Sequence, residues 1–373
     1  MKLLFITSLI LISYVYVGYP VLLAILSLII KKPIKKDEFY PSITLLIAAY
    51  NEERVIREKI ENSLQIDYPK EKIEIVVVSD GSEDRTDEII KEYSSQGVVL
   101  KKFGKRMGKM GALNRAMQEI KSEVVVLSDA NTMYQAEAIK RLVRNFADPL
   151  VGAATGDVRL ESEKASFGQG EGAYWQYERW IQKKESEIGS IIGVDGAMYA
   201  IRRELYVPPS DNIILDDFVI SMNIGTCGHR VVFEPEAVAF EETSPTWRDE
   251  FRRRPRITAG GYQALWQKEG VPSISNGLLL FEYLSHRLFR WLLPFFLITL
   301  FVSNWFVMDN AILRIFLGCQ IAFYLLAWIG LITGTKTKLF AIPFYFCMVN
   351  LGALLGFFRW LTKSQQVMWK KER

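Results

Sequence analysis

Carboxylates stand where the apolar runs of this sequence stop. Asp80 follows EIVVVS (74–79), Asp129 follows EVVVLS (123–128), and Asp216-Asp217 end the stretch LDD (215–217). Two carboxylates at two strand ends suit a nucleoside diphosphate. One can pair with the base or ribose, and the other can hold a divalent cation that bridges the phosphates. The segment GKRMGKMGALN (104–114) adds Lys105, Arg106 and Lys109 as cations for the same phosphates. It is not a Walker A loop, which needs Gly at 103 and Ser or Thr at 110, where Phe103 and Met110 stand. Taken with Arg252-Arg253-Arg254-Pro255-Arg256, the Asp216-Asp217 pair points to a general base beside a cationic clamp on a leaving phosphate. Plainer roles compete. Asp80, Ser82 and Asp84 could cap a helix near 86–93, the basic segment could be a solvated loop, and the arginines could meet anionic lipid.

These residues need a frame, and the stretch 43–155 implies one. ITLLIAA (43–49), EIVVVS (74–79), EVVVLS (123–128) and VGAAT (151–155) are short apolar runs rich in Val and Ile, as strands buried on both faces should be. Helical patterns lie between them. Val55, Ile56, Ile60 and Leu64 are spaced among charges, and Ala112, Leu113, Ala116, Met117 and Ile120 recur at the three-and-four spacing. The alternation predicts an α/β fold with a mostly parallel sheet. Such sheets bind ligands beyond the carboxyl ends of their strands, where this chain carries Tyr50-Asn51-Glu52, Asp80-Gly81-Ser82 and Asp129-Ala130-Asn131.

Half of the 373 residues are hydrophobic, and the excess is concentrated in uncharged runs at 3–30, 291–308, 315–335 and 339–358. About 20 apolar residues cross the hydrocarbon of a bilayer, so these runs read as membrane spans. The first is too long for a signal peptide and runs into Lys31, Lys32, Lys35 and Lys36, which keep the following domain in the cytoplasm. The chain therefore divides into an anchor with a basic flank (1–36), a cytosolic domain (37–276) and an amphipathic interfacial helix (277–290). About three C-terminal spans (291–358) and a basic tail (359–373) follow. Three such spans would carry Arg359, Lys363, Lys370, Lys371 and Arg373 to the far side, against the positive-inside rule. Three cysteines without a CxxC exclude a disulfide scaffold, and two histidines, His229 and His286, leave little room for a zinc site or a Ser/His triad. A dispersed net charge of +4 argues against nucleic acid.

In order, AAYNEE (48–53), VVVSDGSEDRT (76–86), GKMGALN (108–114), LSDAN (127–131), GVDGAMYAIRREL (193–205), LDDF (215–218) and RRPRI (253–257) resemble the membrane-bound family 2 glycosyltransferases of the cellulose and hyaluronan synthase superfamily. The resemblance covers roughly residues 40–270. It implies a GT-A-type nucleotide-sugar domain flanked by transmembrane helices. It also implies an inverting transfer from a nucleotide sugar, usually a uridine one, to a lipid-linked or saccharide acceptor at the cytoplasmic membrane face. Tyr50, Glu52, Asp80 and Lys109 match positions that hold the nucleotide. Asp129 matches the first Asp of the D-x-D motif that binds Mg²⁺ or Mn²⁺ and the diphosphate, and Asn131 replaces the second. Asp195 and Gly196 match the acceptor-side loop, Asp217 the catalytic base, and Arg253 and Arg256 the Q-x-x-R-W motif. Ile257 stands where that motif has its tryptophan, which argues for short rather than long products. The resemblance further implies contact with membrane lipids and a partner subunit for export. A processive polysaccharide synthase, a polyisoprenyl-phosphate sugar transferase and an inactive nucleotide-sugar-binding partner are the rival functions. The aromatic stretch Tyr174, Trp175, Tyr177, Trp180 could stack sugar or lipid, or simply be a core helix.

Overall fold

The structure is a computed structural model describing residues 1–160, 168–241, 246–334 and 337–368. Lys370, Lys371 and Arg373 of the basic tail lie outside the described residues. The apolar runs assemble into an eight-stranded sheet of β1 (Ile43–Ala49), β2 (Ile73–Ser79), β3 (Val98–Lys102), β4 (Val124–Asp129), β5 (Thr132–Tyr134), β6 (Val151–Leu160), β7 (Met198–Arg202) and β8 (Arg230–Glu241), in the order β3-β2-β1-β4-β7-β6-β8-β5. One half, β3-β2-β1-β4, is wholly parallel. In the other half β7 runs antiparallel to β4 and β6, β8 lies parallel to β6, and β5 pairs antiparallel with β8.

Alternate residues of the central strands enter two separate cores. Ile43, Leu45 and Ile47 of β1 and Val124 and Val126 of β4 pack on one face with Ile56, Ile60, Ile89 and Ile90 from the helices Ile56–Leu64 and Thr86–Glu92. Leu46, Val76, Val78, Val125 and Leu127 pack on the other with Met110, Leu113 and Met117 from the helix Lys109–Met117. Helices cover both faces, which is why these strands are continuous apolar runs in the sequence. The second half of the sheet escapes that pattern. β5 has three residues, and β8 is interrupted by Glu234-Pro235-Glu236 beside a register shift in its pairing with β6.

Four helices are long and apolar enough to cross a membrane: Lys2–Ile29, Leu278–Trp305, Ala311–Thr333 and Lys338–Leu361. Residues 278–290 are continuous with the helix that runs to Trp305. Their polar side chains turn toward the sheet domain. His286 is buried between Glu185 (2.7 Å) and Glu178 (3.1 Å) of the helix Gly168–Ile188, and Arg290 also meets Glu178. At the opposite end of the bundle, Lys2 pairs with Asp309 and Phe5 packs on Phe316.

The helix Lys338–Leu361 behaves differently, running alongside the domain helix Trp247–Gln267 in the same direction. Phe344 meets Trp247, Tyr345 accepts a hydrogen bond from Arg254 (2.7 Å), and Trp360 stacks on Tyr262. Gly356 permits the approach, since a Cβ there would stand 2.7 Å from the Pro255 carbonyl oxygen. Beyond the helix, Met368 reaches the neighbourhood of Gly108 in the domain.

Candidate active site

The turns after β1 and β2 are stitched together by backbone groups. The Asn51 N–H donates to Ser82 Oγ (3.1 Å), the Glu83 N–H to Asn51 Oδ1 (2.8 Å), and the N–H of the buried Glu52 to Thr86 Oγ1 (2.8 Å). Asp80 caps no helix. Its two carboxylate oxygens accept from the N–H groups of Met107 (2.7 Å) and Gly108 (2.9 Å), so it anchors the loop leading to Lys109. Helix Thr86–Glu92 has Arg85 at its N-cap, and the turn before it is closed by Asp84, which accepts from the Thr86 N–H at 3.0 Å. Burial raises the Asp80 carboxyl above its ordinary range, although both N–H donors oppose the rise. The same loop lays the Arg106 guanidinium 3.7 Å from the centre of the Tyr50 ring, a cation–π pair at the mouth of the β1–β2 end.

Lys109 links two other elements. Its Nζ lies 2.9 Å from Asp129 at the end of β4 and 3.0 Å from Asp216 in the first turn of helix Asp216–Thr226. Burial works against the Lys109 charge, but Asp129, Asp216 and Asp217 outweigh it and hold the group protonated well beyond the ordinary lysine range. Asp217 is half-buried with no cation paired to it among the described ion pairs, and burial followed by the adjacent Asp216 charge pushes it up to about 7. Gly196 faces it: a Cβ at 196 would stand 2.9 Å from Asp217 Oδ2. Asp195, in the same loop, accepts from the Ala197 N–H (3.1 Å), and burial raises its carboxyl too.

Helix Trp247–Gln267 presents its arginines on different faces. Arg253 pairs with Glu250 and faces Asp195 and Glu241. Arg256 faces Asp129, Asp216 and Asp217, and burial lowers its pKa. Arg254 turns away to Glu250, Tyr345 and the Tyr174 ring, so it fastens the helix to its apolar neighbour. Of the four arginines in the run, Arg253 and Arg256 thus face the carboxylates, Arg254 fastens the helix and Arg252 pairs with Asp249. The aromatic stretch takes the core role at Tyr174 and Tyr177, which contact Tyr345 and the Tyr16 carbonyl of the first membrane helix.

Asp129 and Asn131 flank the turn between β4 and β5, where a cation could be held. The donor set fits one: Asp129 is partly exposed, Asn131 brings an amide oxygen, and Asp195 and Glu241 add negative charge nearby. Among the described residues no three His, Cys, Asp or Glu side chains form a ready-made cage, so a diphosphate would have to complete the coordination.

Two residues at this turn escaped the motif reading. Lys59 occupies a buried position in the apolar stripe of helix Ile56–Leu64. Its Nζ donates to the Thr132 carbonyl and lies 3.9 Å from the centre of the Tyr134 ring, supporting the turn from beneath. Burial lowers its pKa to about 7, with Asp129 opposing. A lysine placed between Ile56 and Ile60 was the available signal. Glu241 ends β8, and its carboxylate accepts from Asn131 Nδ2 at 3.0 Å. It comes from 110 residues away, and only the β5–β8 pairing reveals it.

The family profile described as "Glycosyltransferase like family 2" matches residues 41–260. The poly-beta-1,6-N-acetyl-D-glucosamine synthase of Staphylococcus aureus (strain COL) is 28% identical over 242 residues, covering 63% of this chain and 58% of the relative. A probable glycosyltransferase, YdaM of Bacillus subtilis (strain 168), is also 28% identical over 242 residues, covering 59% and 55%. The matched region thus spans less than three-fifths of either relative. Among solved structures, the mannosyltransferase PcManGT from Pyrobaculum calidifontis, in complex with GDP-Man and Mn²⁺, aligns with a TM-score of 0.75 at 21% identity over 97% of this chain and 100% of that one, a likeness of fold.

Proposed function

The chain belongs to the glycosyltransferase-like family 2, and on that premise we propose that it is an inverting transferase moving a sugar from a nucleoside diphosphate sugar, of the UDP type, to a lipid-linked or saccharide acceptor at the cytoplasmic membrane face. The observation that carries the reading is the pairing pattern around Lys109. Its single positive charge is shared between Asp129 and Asp216, and the neighbouring Asp217, with no cation paired to it among the described ion pairs, is a carboxylate that titrates near neutrality, which suits a general base.

Asp217 takes the proton of the acceptor hydroxyl as that oxygen attacks the anomeric carbon. The bond from that carbon to the diphosphate oxygen breaks on the opposite face, and the electron pair leaves with the nucleoside diphosphate. Gly196 keeps the space beside Asp217 open, and Asp195 shapes the acceptor-side loop. Arg253 and Arg256 stabilise the charge that develops on the leaving group. Tyr50, Glu52 and the loop anchored by Asp80 receive the nucleotide. Asp129 and Asn131 hold a Mg²⁺ or Mn²⁺, which when bound supplies electrostatic stabilisation to the diphosphate.

The packing of helix Lys338–Leu361 supports a cytoplasmic domain. With that helix beside Trp247–Gln267 and Met368 near Gly108, Arg359 and Lys363 fall on the domain's side of the bundle. That leaves three crossing helices and satisfies the positive-inside rule, which three C-terminal crossings would break. The names of the staphylococcal relatives favour a second reading, a polymerising synthase; Ile257 favours release after one or a few additions.

The test is to incubate the full chain in detergent with Mn²⁺ or Mg²⁺ and a panel of nucleotide sugars. Nucleoside diphosphate release is measured with and without lipid and saccharide acceptors, and products are sized by mass spectrometry. Cation-dependent release accelerated by an acceptor is expected. Tight nucleotide-sugar binding with no release under any condition would make the protein a binding partner instead.

A further inference from the structure

Resting on the cation reading above, we infer that Glu241 supplies the negative charge that Asn131, standing in place of a second aspartate, cannot. The two residues meet because β5 and β8 pair antiparallel, with Thr132 opposite Glu241, which brings the end of β8 beside the turn that follows Asp129. Asn131 Nδ2 and Glu241 Oε1 are 3.0 Å apart. A carboxylate can only accept, so the amide nitrogen must be the group that faces it, and the oxygen is what the Asn131 side chain retains for a cation. A carboxylate accepting from an amide N–H draws that proton toward itself and increases electron density on the amide oxygen, making it a stronger ligand. Carboxylates behind metal-ligating imidazoles act in the same manner.

Glu241 is therefore a positioning residue. It fixes the orientation of Asn131 and brings a formal charge to the site without occupying a coordination position. Around it stand Arg253, Asp195 and Asp129, so its charge belongs to the same field that a diphosphate and its cation would enter. An aspartate at 131 would put two carboxylates within hydrogen-bond distance, which explains why an amide suits that position when Glu241 is present.

The pair can be inverted. In Glu241→Gln the charge is lost while the shape stays. In the double variant Asn131→Asp, Glu241→Gln the charge returns at position 131, and the amide introduced at position 241 donates to it, reversing the same hydrogen bond. Purified full-length protein would be titrated with Mn²⁺ at saturating UDP, and separately GDP, following the electron paramagnetic resonance signal of free Mn²⁺; thermal unfolding of each variant reports folding. Glu241→Gln should weaken Mn²⁺ uptake about tenfold or more, and the double variant should recover most of it. Unchanged uptake in Glu241→Gln, or no recovery in a double variant that unfolds like wild type, would overturn the inference while leaving the cation reading intact. No Mn²⁺ uptake by wild type with either nucleotide would overturn both. If the double variant unfolds early, Glu241→Ala serves in its place: it must lose at least as much uptake as Glu241→Gln, and wild-type uptake there refutes the inference.

Discussion

The two ends of the site are held by different forces. At the β1–β2 end, the turns are tied by backbone N–H groups to Asp80, Asn51, Ser82 and Thr86, and the geometry is set before any ligand arrives. At the β4 end, Asp129, Asp195, Asp216, Asp217 and Glu241 crowd against Lys109, Arg253 and Arg256, and the geometry depends on which charges are present. A scaffold of backbone hydrogen bonds changes little with pH or cations, whereas a crowd of buried charges responds to both. On the proposed function, nucleotide recognition is assigned to the first region and turnover to the second, and mutations should separate them.

The largest effect belongs to the second region. Asp217→Asn keeps shape and removes basicity, so kcat should fall by ~10² to 10⁴ while nucleotide affinity stays within about twofold. Asp216→Asn should cost less turnover, because that carboxylate serves to hold Lys109. Turnover assays of both variants check the assignment, and the reverse ranking would move the base to Asp216.

In the first region, Asp80→Ala removes the acceptor of two N–H groups and frees the loop before Lys109. Hydrogen bonds to charged groups contribute ~1.5 to 3 kcal/mol each, so calorimetry should find UDP affinity down about tenfold or more. Asp80→Asn, which keeps one acceptor oxygen, should fall between.

A pH series sharpens the contrast. Below about 7, kcat/KM should drop roughly tenfold per unit as Asp217 takes up a proton, while nucleotide affinity stays flatter. The same shift bears on stability. The folded chain binds this proton more tightly than the unfolded chain, so the contribution is full below pH ~4 and is lost as pH rises through about 7. Thermal unfolding of Asp217→Asn should lack that decline.

The smallest effect concerns product length. Ile257 is half-buried next to Arg256, and Ile257→Trp would offer a stacking face worth ~1 kcal/mol to a sugar ring. That is about five- to tenfold in residence time, so mass spectrometry should show products lengthened by a few sugars.

Legibility from the sequence followed the same division. β1, β2 and β4 lie between covered faces, so their apolar runs disclosed both the strands and the polar residues at their ends. The motif residues Asp80, Asp129, Lys109 and Asp217 did converge on one end of the sheet. Their partners were less visible. That Asp80 would bind backbone rather than cap a helix depends on the path of the 105–109 loop. That Lys109 would bridge two carboxylates depends on bringing β4 and helix Asp216–Thr226 together. Glu241 and Lys59 were hidden because a strand terminus and an amphipathic helix both accommodate charged residues routinely. The course of helix Lys338–Leu361 was hidden for a further reason: hydropathy reports that a helix is apolar, and cannot distinguish lipid from the face of another helix as its neighbour.

Separability of the two regions is tested most directly by measuring UDP affinity and kcat on the same preparations of wild type, Asp80→Ala and Asp217→Asn. A crossing is expected: Asp80→Ala loses affinity about tenfold with the smaller change in kcat, and Asp217→Asn loses kcat by at least about a hundredfold with affinity preserved. Equal losses of both quantities in both variants would contradict it.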